Sequence, residues 1–535
     1  MNRADGRESD PLLRNDSGIT VSPWMAEPDA PGADRDHPPL SGEARCDVCV
    51  IGAGVAGLSL AYRLAEAGKQ VIVLDDGPVA GGESSRTTSF LNKYPDDGLS
   101  DLASKHDRET ARQVVASFTD AIDFIETTCR HEGIESAFVR HPAYLFVAPE
   151  SSRKQAYLDE EIAIARSIGF DALTFVDRAP IPGRDTGRAI RIDNEGYVHA
   201  SRYLSALAEA VIRHGGIIHC RTHVTKVTGG SDAMVRTSAG HTVRAGWIAV
   251  CTNAPILFPP AELALIDARI APYRTFAVAM EIGSADVAQA QFEDTADPYH
   301  YVRPQALRRS GRDERVLIVG GEDVAVGRDG SDDTARFDRL EEWARAHWPG
   351  LGARRFAWSG QVFEPFDGIG FIGASPGEHD NVLVVSGDSG QGFMNGTVGA
   401  LLLGDRILGR ERPYASIYDP RRISPKSAGS LVKDMAKAVS QYKDYVTPGE
   451  VSDESQIAPG SGAVLRKGLT KIAVYRDEAG AFHRCSAVCT HAGGIVHWNA
   501  MEKSWDCPVH GSRFAAEDGR CITGPAESAL KPAED

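Results

Sequence analysis

The chain is 535 residues long, 42% hydrophobic and 25% charged, with a formal net charge of -16 at pH 7. That length has room for roughly two to four domains, and the composition is ordinary for a globular protein. The acid excess, with no basic tract, argues against nucleic acid as a partner, and no apolar run approaches the length of a membrane span.

The opening residues, MNRADGRESDPLLRND, carry no apolar core of a secretory signal, so the expected compartment is the cytoplasm. Nine cysteines in so long a chain do not make a disulfide scaffold. Residues 1–44, rich in Pro, Asp, Gly and Arg, predict a mostly disordered tail. Within it, SPWMAE at Ser22–Glu27 offers a local docking point through Trp24 and Met25.

At Cys46 the character changes. CDVCVIGAG reads as a short apolar strand ending in glycines, GVAGLSLAYRLAEAGK as a helix, and VIVLDD as a second strand. Gly52, Gly54 and Gly57 stand in G-x-G-x-x-G spacing. In that arrangement the first glycine permits the tight turn, the second lets the backbone approach a pyrophosphate, and the third allows helix to pack on strand. The pyrophosphate would sit at the helix N-terminus, where free N–H groups and the helix dipole favour an anion. Asp75 ends the second strand, placed for a ribose hydroxyl, with Asp76 beside it. Cys46 and Cys49 form a C-x-x-C, but they alternate within a core strand and are read as structural.

A second loop rich in glycine and hydroxyls follows, GGESSRTTS at Gly81–Ser89. Residues 101–200 mix helices with short strands and read as a first insertion. At Ser201 the dinucleotide fold resumes with a helix whose Leu204, Leu207, Ala208 and Val211 share one face. The strands IIHCRTHVTKV and TVRAGWIAVCTNAP come next. A second insertion, about 270–350, reads as alternating antiparallel strands carrying Tyr273, Arg274, Tyr299, His300, Tyr301 and Arg303. NVLVVSGDSGQGFMNGTVGALLLGDRIL then gives a strand, a glycine turn and a helix whose N-terminal amides could face a developing negative charge.

These separated stretches, taken in order over about 45–420, resemble the D-amino-acid oxidase-like superfamily, whose members bind FAD. The resemblance implies that Gly82, Arg86, Thr87 and Thr88 lie along the flavin, with Arg86 and the threonines at the pyrophosphate or ring edge. It places Val224 by the adenine, and Gly387, Gly390, Gln391, Gly392 and Phe393 at the flavin's far end. The second insertion becomes a sheet roofing the flavin, where Arg274, Tyr301 and Arg303 are the candidate substrate-pocket residues.

Past an amphipathic helix expected at 428–445, within a linker at 421–445, the remainder (446–535) holds short β segments. There CTHAGGIVHWNAMEKSWDCPVHGS sets Cys489-x-His491 before Cys507-x-x-His510. Two thiolates and two imidazoles can hold a 2Fe-2S cluster, both cysteines on one iron and both histidines on the other, whereas zinc fingers use Cys pairs and His pairs separately, not two mixed pairs. The stretch resembles a Rieske domain, including Gly511-Ser512 after the last ligand, and Gly524-Pro525-Ala526 resembles its proline loop. The resemblance also implies what is missing. Positions where some Rieske proteins carry an extra disulfide are Gly494 and Val509, and a frequent tyrosine is Phe514. Fewer hydrogen bonds to the cluster's sulfurs lower the potential.

The expected fold class is therefore α/β (α+β): an FAD-binding Rossmann-type domain with inserted antiparallel-sheet material, followed by a small all-β Rieske domain. The implied function is a dehydrogenase. A small-molecule amine or amino acid is oxidised at its C–N bond, and electrons pass from FAD through the cluster to an external acceptor, which a redox partner protein would supply. Two alternatives stay open: an electron relay without its own amine substrate, and an oxygen-using amine oxidase. A Rieske oxygenase would need a mononuclear iron site. His214 and His219 have a suggestive spacing for one, but Val211 stands where its first acid belongs.

Overall fold

The structure, a computed structural model, describes residues 17–26, 37–134, 138–254, 256, 266–309, 312–327, 334–377, 379–422, 441–468 and 470–533. β1 (Ala44–Ile51), α1 (Val55–Glu66) and β2 (Val71–Leu74) build the predicted strand–helix–strand unit. β1 pairs in parallel with β2 on one side and with Thr242–Asn253 on the other. The sheet continues in parallel through Ile217–His219 at one end and Val382–Ser386 at the other. Parallel sheets are covered on both faces, so VIVL of β2 is buried at all four positions. α1 runs against the helix Gly392–Ile407, so closely that a Cβ on Gly396 would lie 2.7 Å from Val55 Cγ1. The N-terminal ends of these two helices are thereby brought together.

The two insertions do not fold separately. Phe138–Phe146 from the first pairs in parallel with Gln291–Asp294 from the second, making one nine-stranded sheet. Ile270–Glu281, Arg312–Ala325 and His300–Arg309 are its antiparallel centre, and Arg354–Pro365 is its edge strand. This sheet roofs the dinucleotide unit. Residues before β1 cover part of that edge: Val21 forms an isolated bridge to Ala357. Trp24 is fully buried, its indole N–H donating to the Thr87 carbonyl at 2.6 Å, and Met25 is buried beside it.

Two small antiparallel sheets form the C-terminal region. Ser461–Lys467, Thr470–Arg476 and Phe482–Ser486 make one; His497–Asn499, Ser504–Asp506, Arg513–Ala515 and Cys521–Thr523 make the other. Trp505, Phe514, Ala487 and Val496 close their shared core. The amphipathic helix expected at 428–445 lies mostly outside the described residues; Gln441–Tyr445 forms a short 3-10 turn. Its Tyr442 and Tyr445 hydroxyls donate to the Ala492 and Gly493 carbonyls at 2.6 Å each.

Candidate functional site

A cavity of about 510 Å³ runs between the dinucleotide unit and the roof sheet. Gly52 and Gly54, with Val55 and Ala56 at the start of α1, line one end together with Asp75, Asp76 and Val224. Gly82, Thr87 and Thr88 line its length; Gly390, Gly392 and Phe393 line the other end. Gly57, Gly387 and Gln391 are not in the wall. Gly57 packs helix on strand, since a Cβ there would overlap the Gly52 carbonyl oxygen. Gln391 ties the turn to the chain at 94–96, donating to the Tyr94 carbonyl and accepting from the Asp96 N–H.

The cradle fits a dinucleotide. Gly52 sits at φ +104, and a Cβ there would lie 2.6 Å from the Cys251 carbonyl oxygen; one on Gly54 would lie 2.8 Å from Ser84 Oγ. Only bare backbone leaves this channel open. The paired helix N-termini supply amides and a favourable dipole for phosphate at one end and for a charged ring edge at the other. Ser84 Oγ accepts from the Val55 N–H at 3.1 Å, closing the second glycine loop onto the first.

Two wall residues that sequence reasoning passed over are Asn253 and Asp388. Asn253 has φ +60, and its Nδ2 donates to Asp388 Oδ2 at 2.9 Å. Asp388 also accepts from the Phe363 N–H at 2.8 Å. Burial pushes its carboxyl up to about 7, against the pull of these bonds. Both residues lie inside stretches already singled out, so the local signal existed.

The roof arginines depart from expectation. Of the three candidate pocket residues only Tyr301 lines the cavity, its hydroxyl 3.0 Å from Thr275 Oγ1. Arg274 instead donates to Asp506 of the C-terminal region and to Ser359 Oγ. Arg303 is fully buried among Trp24, Phe90 and Tyr197, and donates to the Thr88 carbonyl and Gln305 Oε1. Burial lowers its guanidinium to about 9. Arg86, expected at the pyrophosphate or ring edge, contributes to the wall but turns its guanidinium away. Nη1 donates to Glu502 at 2.8 Å, to the Ser359 carbonyl and to Thr20 Oγ1. The reason is the same for Arg86 and Arg274: a buried guanidinium goes to the nearest buried carboxylate, and both acids come from across the domain boundary.

Glu502 and Asp506 thus anchor the C-terminal region on the roof. Glu502 has a fully buried side chain and accepts also from Ser359 Oγ and from the Ile19 and Thr20 N–H groups. Burial opposes its charge, but Arg86, Arg513 and Arg274 together hold it down at about 2. Neither acid carries a sequence signal.

At the tip of the C-terminal region the predicted ligands come together. Cys489 and Cys507 are buried neighbours; hydrogen bonding to Cys507 lowers Cys489 to about 6. The His491 and His510 rings lie 5.0 Å apart. His510 Nδ1 is buried without a hydrogen-bond partner, as a nitrogen reserved for a metal would be. His491 places Nε2 3.1 Å from Asp267 Oδ2, so Nδ1 is the nitrogen that would face an iron. Among the described residues no three such groups converge on a point suited to one metal ion. A thiol pair, Cys489 with Cys507, beside an imidazole pair, His491 with His510, fits a two-iron cluster with two cysteines on one iron and two histidines on the other. A Cβ on Gly494 would lie 2.5 Å from Val509 Cγ2, so the two positions without cysteines do face each other. Ser512 Oγ accepts from the Ala526 N–H at 3.1 Å, while Phe514 is fully buried in the core.

The C-terminal region is also part of the cavity. Residues 520–524, 526, 527 and 529 complete the wall near Asp76, His223 and Val224. His214 and His219 do not converge: one faces Glu132 at 3.3 Å, the other the Pro38 carbonyl at 2.9 Å. Among the described residues no helix is long and apolar enough to cross a membrane.

Residues 47–406 match the family model for FAD dependent oxidoreductases (DAO), and residues 447–534 that for the Rieske [2Fe-2S] domain. The chain is 27% identical over 512 residues to the Bacillus subtilis protein YhfW, which bears the name of a Rieske 2Fe-2S iron-sulfur protein; the match covers 95% of this chain and 96% of that one. It is 29% identical over 310 residues to the Escherichia coli gamma-glutamylputrescine oxidoreductase, covering 56% and 69%. Among solved structures, glycine oxidase from Geobacillus kaustophilus superposes with a TM-score of 0.58 at 19% identity, covering 71% of this chain and 100% of that one. L-amino acid deaminase from Proteus vulgaris superposes at 0.59 and 17%, covering 75% and 100%. At such identities the structures show the shared fold.

Proposed function

Because the chain belongs to the FAD-dependent oxidoreductase (DAO) family and ends in a Rieske [2Fe-2S] domain, we propose that it is a dehydrogenase acting on the C–N bond of an amine or amino acid. The observation that carries this reading is the shared wall: dinucleotide unit, roof sheet and Rieske residues 520–529 enclose one cavity. Bound FAD supplies hydride acceptance and the cluster one-electron transfer.

The chain's own residues orient and insulate. Gly52, Gly54 and the start of α1 would hold the pyrophosphate, and Asp75 would stand at the ribose. The start of helix Gly392–Ile407 would face the flavin ring, with the Asn253–Asp388 pair beside it. Tyr301 and Thr275 present hydroxyls from the roof, and Trp358 adds an apolar surface to the same wall. Arg274 is paired with Asp506 and Arg303 is buried behind the wall, and neither lines the cavity, so neither is placed for a substrate carboxylate. This favours recognition through the amine. Glu502 and Asp506 hold the Rieske domain where both of its cluster loops touch the flavin unit. A cytoplasmic location, where the seven cysteines other than Cys489 and Cys507 would remain thiols, belongs to the same reading.

The test is anaerobic mixing of holoenzyme with a panel of amines and amino acids. Flavin bleaching by an amine, followed by a Rieske-type EPR signal, is the expected outcome. If no member of the panel bleaches the flavin, the dehydrogenase assignment falls.

A further inference from the structure

The roof's edge strand, Arg354–Pro365, is a partition. The flavin cavity lies against one side of it, and the cluster-binding loop 507–512 presses on the other. Gly360 and Gln361 belong to the cavity wall. Gln361 is 1% exposed, and its Nε2 donates to the Gly511 carbonyl at 2.8 Å. Gly511 follows the ligand His510 directly. Because a carbonyl oxygen only accepts, the amide nitrogen must face Gly511 and Oε1 must face elsewhere. Oε1 has no partner among the described residues.

The packing is specific to this approach. Gly511 has φ +75, and a Cβ there would lie 2.6 Å from Pro272 Cβ and 2.7 Å from Gln361 Nε2. Bare backbone is what lets the loop seat against the partition. Pro508 seats the same loop on Gly327, where an added Cβ would lie 3.1 Å from the proline ring.

We propose that Gln361 couples the flavin site to the cluster: a positioning residue whose backbone belongs to the strand walling the cavity and whose side-chain amide holds the backbone next to His510. This rests on the flavin-to-cluster direction proposed above. Two electrons and one proton leave the reduced flavin. The electrons cross one at a time, each reducing one ferric ion of the cluster to ferrous; each then leaves to an external one-electron acceptor before the next arrives, and the proton goes to solvent.

The experiment uses holoenzyme and no substrate. A brief light pulse with EDTA under argon reduces the bound FAD, and transfer is followed by bleaching of the cluster's visible absorbance and by freeze-quench EPR. Gln361→Met keeps volume and removes the amide. Ser359→Ala serves as a control, because it loosens the same interface through Glu502 and Arg274 without touching the cluster loop. Transfer in Gln361→Met is expected to slow about tenfold, the scale of one directional hydrogen bond lost. Cluster content and potential should match wild type, and Ser359→Ala should transfer at nearly the wild-type rate. Equal rates in Gln361→Met and wild type would overturn the inference and leave the dehydrogenase reading standing. Equal slowing in both variants would also overturn it, in favour of a docking role. If the wild-type cluster never bleaches after FAD reduction, the flavin-to-cluster route falls, and Gln361 has nothing to couple.

Discussion

Glu502→Gln removes the charge at the centre of the contact between the Rieske domain and the roof. The side chain is fully buried, its partner Arg86 is 1% exposed, and the pair is 2.8 Å apart. Arg274 and Arg513 are also within its field, so three guanidinium groups would be left with two carboxylates, Asp506 and Glu83. Folding lowers the Glu502 carboxyl from 4.5 to about 2, which at 1.36 kcal/mol per unit is about 3 kcal/mol of stabilisation. Breaking a buried pair from one side costs roughly 3–5 kcal/mol, in the same range. Because the folded value is depressed, this stability is fully present above the unfolded value near 4.5. It is lost as pH falls through the folded value near 2. The assay is hydrogen exchange over 497–506, together with the urea midpoint of the cluster's circular dichroism. Glu502→Gln should lower the midpoint by the equivalent of about 3 kcal/mol at pH 7 and flatten the loss of stability below pH 4.5. Unchanged exchange and an unchanged midpoint would refute the anchoring role.

Gly57→Ala drives a methyl group into the Gly52 carbonyl, which has nowhere to go, so the variant should purify without FAD or with affinity reduced about 100-fold or more; flavin fluorescence on titration decides it. His491→Ala should abolish the Rieske EPR signal while FAD still binds. Steady peroxide release persisting in that variant would favour the oxidase reading instead. With Gly494 and Val509 facing each other where a disulfide could stand, and with Phe514 offering no hydroxyl, the cluster potential should fall in the lower half of the roughly -150 to +300 mV Rieske range. A redox titration near the top of that range would contradict this reasoning.

What the sequence determined by itself was local chemistry. Gly52, Gly54 and Gly57 act over a single turn, and their meaning is steric. Cys489, His491, Cys507 and His510 are two short Cys–His pairs whose residue types and spacing are legible in the sequence. Such patterns need no knowledge of distant chain, so they can be read without the fold. The roles of the arginines cannot. Arg86 and Glu502 are 416 residues apart, and Arg274 and Asp506 are 232 apart. The partner of a buried cation depends on which acid the fold delivers, because desolvation penalises every arrangement except pairing. The same holds for the roof, assembled from strands of two insertions, and for the cavity wall, which only domain packing completes. Tertiary structure alone decided that the Rieske domain is seated on its own chain's flavin unit. It did so through buried carboxylates and through a glycine, Gly511, whose lack of a side chain matters only once Gln361 and Pro272 stand against it.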